Sequence, residues 1–186
     1  MNVLAVAGSL RAASINAAFC RAASRLAPPG LRITLYEALG SLPLFNPDLE
    51  PEPPRSVRQF REAVGAADAL IIASPEYAHG ISGVLKNALD WLVSDEGFVG
   101  MPVAVINTSP RAHHAYDVLL EVLTTMSATL VREASISVPL LGGCITEAQM
   151  IAAPATSAQI RGALAGLETF LHSGARPGPS FPIDSR

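Results

Sequence analysis

Three short stretches hold most of the side chains in this sequence that could do chemistry: GSLRAASIN at residues 8–16, PEYAHG at 75–80 and NTSPRAHHA at 107–115. In the first, Gly8 permits a tight turn, Ser9 and Ser14 offer hydroxyls, and Arg11 offers a planar fork of donors. A helix starting at Ser14 would point its free N–H groups back toward the same loop. Hydroxyls, one arginine and a helix N-terminus make a good site for a phosphate monoester. The plainer reading makes Ser14 an N-cap and Arg11 a solvated surface residue. No Gly-Lys-Ser/Thr follows the loop and no G-x-G-x-x-G lies within it, which favours a mononucleotide with one phosphate over a dinucleotide or a triphosphate.

In the second stretch, Pro75 and Gly80 bracket a stiff turn. A flat heterocycle could lie along its backbone and the Tyr77 ring, with Glu76 and His79 at the rim. Spacing alone serves equally well a strand-to-helix turn with Tyr77 in the core and Glu76 in solvent. In the third stretch, His113 and His114 read as helix-start residues rather than metal ligands, because no partnering carboxylate or third ligand is evident. Lys86 and Asp90, four apart, read as a surface pair, and Asn87 and Trp91 as packing or partner contacts.

The apolar pattern indicates what positions these stretches. Residues 2–7 are a nearly continuous apolar run, as in a strand buried on both faces. Further strands are expected over 31–36, 69–73, 102–107 and 129–138, and helices over 14–26, 57–66, 80–93, 112–126 and 156–171. Residues 37–55 contain SLPLFNPDLEPEPPR, whose prolines exclude regular structure there, yet Leu42, Leu44 and Phe45 are too apolar for an idle linker. Strands alternating with helices predict an α/β, flavodoxin-like three-layer sandwich around a five-stranded parallel sheet of order 2-1-3-4-5. In that order a crevice opens outside the carboxyl ends of strands one and three. All three stretches fall on loops around it, which favours the anion site over the plainer reading of the first.

The chain has 186 residues, 49% hydrophobic and 16% charged, with a net charge of −3. That suffices for one core and leaves no basic footprint for nucleic acid or an anionic membrane. One domain is expected over 1–173, with a mobile proline-rich tail over 174–186. No apolar run is long enough to span a bilayer and no signal peptide is evident, so a cytoplasmic protein is expected. Cys20 and Cys144 form neither a C-x-x-C pair nor a zinc pattern and read as small buried hydrophobes. No Ser-His-Asp or Cys-His arrangement and no metal site is evident.

GSLRAASIN and PEYAHGISGVLKNALDWL (75–92) together resemble the paired signatures of the NAD(P)H-dependent FMN reductase family, and LPLFNPDLE (42–50) resembles that family's loop after strand two. The family includes azo-dye, chromate and quinone reductases. The resemblance implies an enzyme passing hydride from NADPH or NADH to N5 of FMN, then electrons to a small-molecule acceptor by a ping-pong mechanism. Free flavin, a quinone, an azo compound, a nitroaromatic or a metal oxyanion would serve as acceptor. The flavin carries the chemistry, so no catalytic side chain is implied. An FMN electron carrier and a non-catalytic ligand-binding module are the alternatives.

By the same resemblance, Ser9, Arg11, Ser14, Asn16 and the Ile15 amide match positions that hold the FMN phosphate. Pro75, Glu76 and Tyr77, with Ala78, His79 and Gly80 close behind, match the loop against the ribityl chain and isoalloxazine, and Ser109 matches the segment at its pyrimidine side. Ala78 stands where many relatives have asparagine and Ser82 where many have proline, so a less rigid turn is expected. The family's glycine-rich loop after strand four reads SPRAHHAYD here. Arg111 in it either brings positive charge near N1 and O2 of the flavin or is a solvent arginine at a helix start. Association in the family implies a homodimer or dimer of dimers, with Leu44, Phe45, Leu49 and Trp91 as apolar anchors.

Overall fold

The continuous apolar runs become parallel strands buried on both faces. A computed structural model describes residues 1–109, 113–140 and 144–174. In chain order its strands are β1 (Asn2–Ala7), β2 (Arg32–Leu35), β3 (Ala69–Ala73), β4 (Glu76–Tyr77), β5 (Gly80–Ile81), β6 (Pro102–Asn107), β7 (Thr129–Leu130) and β8 (Ile136–Ser137). Its helices are α1 (Ile15–Leu26), α2 (Arg55–Gly65), α3 (Gly83–Asp90), α4 (His114–Thr125), α5 (Glu147–Ala152) and α6 (Pro154–His172). The main sheet runs β2-β1-β3-β6-β7 with every pair parallel, which is the expected 2-1-3-4-5 counted over this sheet alone.

Side chains alternate across each strand, so each strand feeds two cores. Val3, Ala5, Ile71 and Ile106 pack against Phe19 of α1 and Ile160, Leu164 and Leu167 of α6. Leu4, Val6, Ile72 and Val105 pack against Phe60 of α2, Leu85 and Leu89 of α3 and Leu119 and Leu123 of α4. The result is the three-layer arrangement expected of the sequence.

The fifth strand differs from the single run expected over residues 129–138. It is two pieces on one edge: β7 pairs with Pro102 and Val103, β8 with Ile106 and Asn107. Ser135 explains the break. Its Oγ donates to Val131 O at 2.8 Å and accepts from Val105 N at 3.0 Å, taking the ladder position that a strand carbonyl would fill. The helix expected over 80–93 is also shorter, because Gly80 and Ile81 pair with Tyr77 and Glu76 in a hairpin. The α3 helix begins only after Ser82, whose buried Oγ accepts from Leu85 N at 3.3 Å.

The proline-rich segment is docked and contains two single-turn 3-10 helices, Leu39–Ser41 and Pro47–Leu49, where no regular structure was expected. Pro43 O accepts from Asn87 Nδ2 at 2.9 Å and Trp91 Nε1 at 2.8 Å, while Phe45 N donates to Asn87 Oδ1 at 2.7 Å. Trp91 is 0% exposed, so it is a core residue and not the partner anchor expected of it. Arg61 completes the clasp, donating to Trp91 O and to both Glu50 oxygens. Partial desolvation pushes the Glu50 carboxyl up, but hydrogen bonds from Arg61 and Ser94 and the Arg61 charge outweigh it and hold it below its usual value. The clasp therefore stabilises the fold above the ordinary carboxylate range and weakens as pH falls below it.

Cys20 is fully buried, which pushes its thiol up to about 12 against smaller opposing effects of Arg21 and a backbone hydrogen bond. Only the thiolate reacts rapidly. Iodoacetamide at about pH 8 is expected to modify the partly exposed Cys144 and spare Cys20 until the chain unfolds. Equal labelling of both thiols in the native protein would contradict this burial. The tail expected over 174–186 lies outside the described residues from position 175 on. Among the described residues, no helix is long and apolar enough to cross a membrane.

Candidate functional site

The first site loop leaves β1 at Gly8, whose N–H donates to Ala73 O at 2.8 Å. A Cβ at Gly8 would lie 3.0 Å from Ser82 Oγ and 3.1 Å from both Ser74 Oγ and Leu85 Cβ, so this loop passes the second one at a distance suited to glycine. Ser14 then caps α1: its N–H donates to Arg11 O at 3.0 Å and its Oγ accepts from Ala17 N at 3.2 Å. The amides of Ile15 and Asn16, earlier in the same turn, have no partner within the helix and face the loop with the positive end of the helix dipole. Asn16 Oδ1 accepts from Thr108 Oγ1 at 2.9 Å, which ties α1 to the loop after β6.

The second loop is a two-residue hairpin turn. Ala78 and His79 have φ of 49° and 61°, the left-handed pair that such a turn needs to match the twist of its strands. Asparagine and glycine adopt this conformation readily, and alanine does so at a cost of about 1 kcal/mol or more. Ala78→Gly is therefore expected to raise the unfolding free energy by about 0.5–1 kcal/mol in urea titration. A lower midpoint would show that the turn is unstrained.

Two contacts tie this hairpin, where Ala78 and Ser82 led to the expectation of a less rigid turn, to α4. Glu76 Oε2 accepts from Ala115 N at 2.9 Å, in the first turn of α4 where amides lack helical partners. The His79 ring stacks on His114 with centroids 4.3 Å apart and planes at 25°, and His114 meets His113 at 4.3 Å. Glu76 is thus a helix cap as well as a wall of the site, and Tyr77, 59% exposed, is not in the core. His113 and His114 do open α4, as the sequence suggests. Among the described residues no cluster fit to hold a metal ion is found.

The loops enclose a cleft of about 300 Å³. Ser9, Arg11, Ser14, Ile15 and Asn16 line one end, with Pro75, Glu76, Tyr77 and Ser109 along the other walls. Ala78, His79 and Gly80 are not part of the lining and stand at the hairpin tip. Arg111 lies outside the described residues. The lining also includes Ser74, Thr108 and Leu140, which sequence reasoning missed. Ser74 and Thr108 directly follow β3 and β6, where crevices of open α/β sheets draw polar groups, so their place was a usable signal. Leu140 follows the broken fifth strand, and no pattern in the sequence marks it.

A sequence model of the NADPH-dependent FMN reductase family matches residues 1–140. Over 112 residues the chain is 43% identical to an NAD(P)H-dependent FMN reductase of Pseudomonas aeruginosa, covering 59% of this chain and 60% of that one. It is 41% identical over 115 residues to a quinone reductase of Pseudomonas putida, covering 60% and 61%. The matches thus span about 60% of the length of these curated relatives. In structure, a flavoenzyme NAD(P)H:(acceptor) oxidoreductase from Paracoccus denitrificans superposes with a TM-score of 0.83 at 25% identity, covering 92% of this chain and 97% of that one. The order of strands, the loops gathered at the switch point and the matched residues lead to one assignment: this chain belongs to the NADPH-dependent FMN reductase family.

Proposed function

We propose that the cleft binds FMN and that the protein uses NAD(P)H to reduce a small-molecule acceptor through it. The observation that carries this reading is the meeting of a phosphate-type donor set and an exposed aromatic wall in one cleft. The donor set fits a phosphate monoester: the Ile15 and Asn16 amides at a helix N-terminus, the Ser9 and Ser14 hydroxyls and the Arg11 guanidinium supply donors, with no second basic side chain among the described lining residues to suit a diphosphate. Pro75, Glu76 and Tyr77 form the bed for the planar ring, and Ser109 faces its pyrimidine side. The flavin, when bound, supplies the redox chemistry, accepting hydride from NAD(P)H and giving electrons to a quinone, flavin, azo compound, nitroaromatic or metal oxyanion in a ping-pong cycle.

The chain's own task is to bind and orient. Glu76 is engaged with the α4 N-terminus, which supports a positioning role over one in proton transfer. The exposed Tyr77 leaves the cleft open to a second planar molecule. A homodimer or dimer of dimers fits Leu44, which is 83% exposed while the backbone on either side is pinned to α3. Cytoplasmic location belongs to the same reading.

Titration of the purified protein with FMN tests the binding half of the proposal. Saturable uptake at one FMN per chain, with quenched flavin fluorescence, is the expected result. A protein that takes up riboflavin and FMN equally weakly would overturn the phosphate site.

A further inference from the structure

Tyr77 sits between two tethers that join the β4–β5 hairpin to α4. One residue before it, the Glu76 carboxylate accepts from Ala115 N at 2.9 Å. Two residues after it, the His79 ring lies on His114, which in turn meets His113. The hairpin has only two residues in each strand and a turn with both residues in the left-handed region. So short a hairpin has little stability of its own. Its shape depends on what holds it to α4.

We propose that His79 is a positioning residue whose stack on His114 latches the hairpin over the cleft while the imidazoles are neutral, and that acidification opens this latch and weakens the bed for the flavin. The proposal rests on the FMN reading above. Imidazole is the side chain that ordinarily changes charge between about pH 5 and 8. Among the described residues, the ionisable groups flanking the stack on its own two elements are Glu76 and Tyr77 on the hairpin and His113, Tyr116 and Asp117 at the start of α4. The other strands against α4, β6 and β7, bring no charged residue. Charge on both rings would put two cations about 4 Å apart beside the positive end of α4, which even at water's dielectric shifts an equilibrium about fivefold.

The test compares the wild type with the double variant His79→Phe/His114→Phe, which keeps stacked rings and loses their charge, and with His79→Ala, which loses the stack. FMN dissociation constants are measured from about pH 8 to about pH 5.5. The FMN phosphate itself loses charge over part of this range in every variant, so the difference between profiles carries the result. The expected outcome is a Kd that rises about fivefold more in the wild type than in the double Phe variant, with His79→Ala weak throughout. In the FMN-free protein, exchange of the hairpin amides, corrected for intrinsic rate, should quicken on acidification in the wild type alone. Superimposed pH profiles, or His79→Ala equal to wild type, would overturn the latch. Failure of all forms to take up FMN at about pH 8 would sink the functional reading instead, and the exchange measurement would still judge the latch.

Discussion

Trp91→Ala is expected to cost about 3–5 kcal/mol of folding stability, a large fraction of the roughly 5–15 kcal/mol that a domain holds. The side chain is 0% exposed and lies in the core between the sheet and α2–α4. Its ring meets Phe45 edge-on at 5.0 Å, and the Arg61 guanidinium carbon is 6.0 Å from its centroid. Its Nε1–H is also one of two donors on Pro43 O, the other being Asn87 Nδ2. Truncation therefore removes apolar burial, an aromatic pair and one tie of the proline-rich segment together. Trp91→Phe separates these effects in part: a smaller aromatic ring remains and Pro43 O keeps its Asn87 donor, so a loss of about 1–3 kcal/mol, smaller than that of alanine, is expected. Urea unfolding of both variants measures the difference. A loss under about 1 kcal/mol for alanine would contradict the core assignment.

Arg11→Ala is expected to raise the FMN dissociation constant about thirtyfold, the scale of one charge-assisted hydrogen bond to a phosphate, or about 2 kcal/mol. Arg11 is exposed on the loop before α1, so solvent shares its charge and the effect falls below that of a buried pair. Arg11→Lys should recover only part of the loss, because a point charge replaces a planar fork. Riboflavin, which lacks the phosphate, should bind both proteins alike. Affinity for FMN within about threefold of wild type would place Arg11 in solvent and leave the phosphate to the helix N-terminus and the two serines.

The buried strands were legible because β1, β3 and β6 are short runs apolar on both faces, and their order followed from the alternation with helices. The three chemical loops were legible for the same reason: each directly follows one of those strands. The hairpin was not, since Ala-His is a poor signal for a turn that usually selects asparagine and glycine. The break in the fifth strand depends on one hydroxyl, Ser135, replacing a backbone group, which no periodicity records. The α5 helix was missed although Thr146 and Gln149 spell a capping box, with Thr146 Oγ1 accepting from Gln149 N at 3.3 Å. Glu76 was read as a rim residue because its partner, the amide of Ala115, lies 39 positions away. Trp91 reads from sequence as either packing or a partner anchor, and the proline-rich segment that folds over it decides for packing.

The central claim, a flavin-dependent reductase built on this cleft, is tested most directly by adding NADPH to the FMN-loaded protein in the absence of oxygen. The account predicts that the yellow flavin bleaches and that its colour returns when a quinone is added. A loaded protein that stays yellow with both NADPH and NADH would contradict it and favour an electron carrier.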